Sequence, residues 1–64
     1  MNEVDQIRYS KRAEAYAQAQ EIKEREIRIN RDELGTVKAK RHASEIASKW
    51  LSKRYEEIER ELPN

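Results

Sequence analysis

The chain has 64 residues, of which 42% are charged, yet its net charge is only +1, and it holds one His, one Gly, one Pro, no Phe and no Cys. That length allows a single domain, residues 1–64, and the composition excludes disulfides, thiolate metal sites and Gly-rich phosphate loops. Eleven Val, Ile or Leu and seven Ala make too thin a core to order such a chain alone, so oligomerisation is the expected route to stability.

From the N-terminus, the sequence predicts a first helix over about 3–34. Asn2 is placed to cap it, and Glu3 and Asp5 fall in the first turn, where the helix dipole favours acids. Advancing 100° per residue separates its apolar side chains into two stripes. Val4, Ile7, Ala15, Ala19, Ile22 and Ile29 follow one face; Tyr9, Ala13, Tyr16, Ile27 and Leu34 follow nearly the opposite one. A helix with two apolar faces needs two neighbours, and a lone hairpin supplies one. The Ala-rich run 13–19 would let a neighbouring helix approach closely, with Trp50 and Tyr55 as candidates to fill the facing space.

Asn30, Asp32, Gly35 and Thr36 cluster as a turn. Gly35 is expected to end the first helix in the left-handed conformation, and Thr36 to cap the second. The competing arrangement is one continuous helix, since a mid-helix Gly costs only about 1 kcal/mol.

The second helix is predicted over about 37–62, stopped by Pro63. Its apolar stripe drifts from Ala39, Ala43, Ile46 and Trp50 to Ala47, Leu51, Tyr55, Ile58 and Leu62, with a register step near Trp50-Leu51. Acid-then-base pairs at i, i+4 (Glu21–Arg25, Glu24–Arg28, Glu45–Lys49 and Glu56–Arg60) would each add about 0.3 kcal/mol to helicity. Residues 36–54 carry six basic groups against Glu45 alone, and the last ten residues carry four Glu against Arg60. Lys38, His42, Lys49, Lys53 and Arg60 share the face away from the apolar stripe.

The predicted fold is therefore all-α: an antiparallel helical hairpin that dimerises into a four-helix bundle. Self-association would use Val4, Ile7, Tyr9, Tyr16, Ile22, Ile27, Ile29, Ile46, Trp50, Leu51, Tyr55, Ile58 and Leu62. In that dimer the basic start of helix 2 would meet the acidic end of its mate and fix orientation. No catalytic constellation, metal set or cofactor site is expected, because two helices offer little concavity and His42 reads as a solvated side chain. No segment is apolar enough to span a membrane. The polar opening, unlike a secretory signal, and the absence of Cys point to the cytoplasm.

The opening Met1-Asn2-Glu3-Val4-Asp5-Gln6-Ile7-Arg8-Tyr9, the run Glu21-Ile22-Lys23-Glu24-Arg25-Glu26-Ile27-Arg28 and the lack of Cys and Phe give the whole chain a character. It resembles the very small helical proteins encoded in the early region of lambdoid phages, between the exonuclease and excisionase genes. That resemblance implies an accessory protein acting in the host cytoplasm, through contacts with a host protein, on host takeover or the lysis–lysogeny decision. In shape alone the expected architecture also looks like that of the plasmid copy-number protein that binds paired RNA loops as a dimer of helical hairpins. Two functions are therefore expected to compete. One is a non-enzymatic regulatory adaptor working by protein–protein contact. The other is a nucleic-acid-binding regulator using Lys38, Lys40, Arg41, Lys49 and Lys53 on helix 2.

Overall fold

The structure is a computed structural model and describes residues 2–63; Met1 and Asn64, which the single-domain reading of 1–64 includes, lie outside the described residues. It is all-α, with two helices, α1 (Glu3–Leu34) and α2 (Thr36–Glu61). The Asp5 backbone N–H donates to Asn2 Oδ1 at 2.8 Å, closing the start of α1. At the far end of the chain, the Leu62 N–H donates to the Ile58 carbonyl at 3.1 Å. Leu62 itself is extended, as a residue preceding proline must be.

The chain reverses at Gly35 alone. Its N–H donates to the Arg31 carbonyl at 2.9 Å, and its own carbonyl accepts from the Ala39 N–H at 3.0 Å, so one residue closes α1 and opens α2. Its φ of 82° is positive, as the sequence suggested, but its ψ of 161° is extended rather than left-handed helical. Only glycine occupies that region without strain. Thr36 does not cap α2, because it is already the first helical residue and the cap position falls on Gly35, which has no side chain to offer.

The molecule measures 46 × 15 × 13 Å. A helix the length of α1 spans about 48 Å and an uninterrupted rod would reach about 90 Å, so α2 lies folded back along α1. The seam between them is built from alanine: Ala15 and Ala19 of α1 and Ala39, Ala43 and Ala47 of α2 are buried. Small side chains let the two backbones approach closely. Larger groups close the end where the termini meet, with Ile58 fully buried among Ala15 and Leu62, and with Val4, Trp50, Leu51 and Tyr55 packed around them. Trp50 and Tyr55 thus fill the space opposite the Ala-rich run; Ala13 and Ala17 of that run are exposed.

The two stripes of α1 do not each receive a neighbour. α2 covers the first stripe at Val4, Ala15, Ala19 and Ile22, and the inner face of α1 also carries half-buried Arg8, Lys11, Glu26 and Asn30. As a result Ile7 and Ile29 of one stripe and Tyr9, Tyr16 and Leu34 of the other remain exposed.

Candidate protein-interaction surface

Tyr9, Tyr16 and Leu34 occupy one long edge of α1. Seven residues separate the first two, and the eighteen between Tyr16 and Leu34 make five turns, so all three point the same way. Tyr9 is 71% exposed and Tyr16 55%, although both are large apolar groups. Around them, Arg12 and Ala13 of α1 and Tyr55 of α2 line a shallow surface groove of about 340 Å³. The Arg12 guanidinium lies 5.1 Å from the centre of the Tyr55 ring, a cation–π contact that holds α2 against this edge. Val37, 72% exposed, lies just past the turn that follows Leu34.

The end of the hairpin bearing the termini is clamped by charge. Arg8 donates through Nε to Glu59 Oε2 at 2.8 Å and through Nη1 to Asp5 at 2.6 Å. Arg12 stands 3.7 Å from the same Glu59 oxygen, and Lys11 reaches Glu61 at 3.4 Å. Arg54 holds Glu61 at 3.1 Å and Glu57 at 3.3 Å. The hydrogen bond from Arg8, aided by the positive charge of Arg8 and Arg12, holds the Glu59 carboxyl below its ordinary range. Hydrogen bonds from Arg54 and then Lys11 do the same for Glu61. In return Glu59 raises the Arg8 guanidinium, and Glu61 raises that of Arg54. Glu59 and Glu61 near the end of α2 thus meet Arg8, Lys11 and Arg12 of α1 within one chain. The expected i, i+4 pairs Glu21–Arg25, Glu24–Arg28, Glu45–Lys49 and Glu56–Arg60 do not close among the described residues. They are solvent-exposed, where each pair gains too little to hold two long side chains in place.

Of the residues assigned to self-association, Ile58 and Leu62 are buried inside the hairpin, and Val4, Ile22, Ile27, Ile46, Trp50, Leu51 and Tyr55 are half-buried. Ile7, Tyr9, Tyr16 and Ile29 are left in water. Lys38, Lys40, Arg41, Lys49 and Lys53 are all exposed, as is His42, and among the described residues none of the five cations lies within ion-pair distance of a carboxylate. Lys49 and Lys53 flank a second shallow groove with Ser48, Ser52 and Glu56. A third, on α1, is formed by Glu3, Gln6, Ile7, Ser10, Lys11 and Glu14. Each of these last two dips is lined by a single helix. Sequence reasoning missed the Arg8, Lys11 and Arg12 clamp because its partners lie some fifty residues away.

Among the described residues no group of three or more His, Cys, Asp or Glu is placed to hold a metal, and no helix is long and apolar enough to cross a membrane. Comparisons with protein-family models, with curated proteins and with solved structures found no match to the chain.

Proposed function

We propose that this chain is a non-enzymatic regulatory adaptor: a helical module that works by docking its α1 tyrosine edge against another protein. The observation that carries this reading is the inversion of α1. Its small residues, Ala15 and Ala19, are buried, while Tyr9 and Tyr16 stand in water. Tyrosine is the kind of side chain that concentrates binding energy when an interface covers it, since its ring is rigid and apolar and its hydroxyl can stay paired. The resemblance to lambdoid early-region proteins supplies a setting, a host protein met in the host cytoplasm during early infection. The test is affinity capture from a bacterial lysate with the native chain and with Tyr9→Glu/Tyr16→Glu. A host protein, or a differently tagged copy of this chain, retained by the first and lost by the second supports the reading; identical retention of both by the two chains removes it.

The nucleic-acid reading keeps one specific support. Glu57, Glu59 and Glu61 are engaged by Arg54, Arg8, Arg12 and Lys11, so the acidic end of α2 opposes a phosphate backbone less than its charge count suggests. Lys38, Lys40, Arg41, Lys49 and Lys53 would then make the phosphate contacts. Retardation of RNA or DNA that falls steeply with salt would favour it, and no retardation at low salt would eliminate it.

A further inference from the structure

We propose that the occupant of the tyrosine edge is a second copy of this chain, seated antiparallel with its α1 on this α1 in one register; the proposal rests on the docking reading above and names its partner. Along this edge Tyr9, Ala13, Tyr16, Gln20 and Leu34 are exposed and Lys23, Ile27 and Asn30 are half-buried where the edge borders α2; together they follow one another at spacings of four and three, the pattern of a coiled-coil seam. A two-fold axis at the level of Glu21 and Ile22 brings Tyr9 opposite the second copy's Leu34, and Tyr16 opposite the second copy's Ile27. Every large apolar residue of the seam then meets another. Ala13 faces the second copy's Asn30, whose amide nitrogen already donates to the Glu26 carbonyl at 2.9 Å and to Glu26 Oε2 at 3.2 Å. Gln20 faces the second copy's Lys23 across the axis, a polar pair that can hydrogen-bond.

Charge chooses the same arrangement. On the flank of this seam Arg12 lies beside the second copy's Glu33, an exposed carboxylate that makes no ion pair among the described residues of its own chain. The symmetry repeats the pair. In the parallel in-register alternative, Lys23 would stand directly against its own copy, a like-charge contact that penalises that dimer.

The chain has no cysteine of its own, so the register can be read by disulfide formation. A Tyr16→Cys chain is mixed with an Ile27→Cys chain, refolded together and oxidised, while sedimentation of the native chain is followed from low micromolar to several hundred micromolar. The expected result is a native dimer and a mixed disulfide exceeding either homodisulfide by tenfold or more. In the stated register two copies of residue 16 lie about 16 Å apart along the helix axis, too far for a disulfide. Glu33→Arg, on an exposed site that leaves the fold intact, is expected to weaken the dimer about fivefold. A dimer that links residue 16 to itself overturns the register, and a folded monomer at every concentration overturns the proposal. Tyrosine-dependent capture of a host protein by such a monomer would leave the docking reading standing with a different occupant.

Discussion

Two residue positions hold this hairpin more tightly than their size suggests. Gly35 has a positive φ with an extended ψ, yet a methyl group added there would meet nothing within 4 Å. The cost of Gly35→Ala is therefore conformational rather than steric, about 1–3 kcal/mol, and urea denaturation followed by circular dichroism should show a lower midpoint of that size. Ala43 is 0% exposed in the middle of the seam. Ala43→Leu must push the helices apart there and should cost about 1–3 kcal/mol, while Ala17→Leu on the exposed face should stay within about 0.5 kcal/mol. If the two leucine variants denature alike, the alanine seam does not set the helix separation.

At the level of the helices, the ends that meet at the termini are held by exposed charge, and that clamp can be tested by acid. Glu59 and Glu61 have depressed pKa values in the folded chain. Their stabilisation is thus complete above the ordinary carboxylate range, at about pH 5 and higher, and is lost as pH falls through the lowered folded values. Thermal melts of the native chain and of Glu59→Gln/Glu61→Gln should differ at pH 7, and the gap should close as the pH falls through the lowered folded values. A gap that persists in acid would mean the clamp acts through packing instead. The extents of both helices, the Asn2 cap, the turn at Gly35 and the drifting stripe of α2 were legible in the sequence, because each is a local signal. The side of α1 that faces α2 was legible in part: Val4, Ala15, Ala19 and Ile22 of the first stripe turn inward, but Ile7 and Ile29 do not, and the inner face also takes in Arg8, Lys11, Glu26 and Asn30, which hydrophobic periodicity cannot assign. Pairs such as Arg8–Glu59 depend on where the hairpin folds back, which no local window contains.

For the molecule as a whole, stability and association are expected to separate. Tyr9 and Tyr16 are largely outside the core, so Tyr9→Glu/Tyr16→Glu should keep its helical signal and its stability to within about 1 kcal/mol. The same variant should lose whatever the tyrosine edge binds, as sedimentation or capture will report. A variant that unfolds would instead place both rings in the structural core. The one-residue joint at Gly35 has a mechanical consequence for such an assembly. It leaves no slack between the arms, so α1 and α2 cannot slide along each other to absorb a load. A partner gripping the outer face of α2 would pull on the tyrosine edge as well, and the hairpin would transmit that force as a stiff lever.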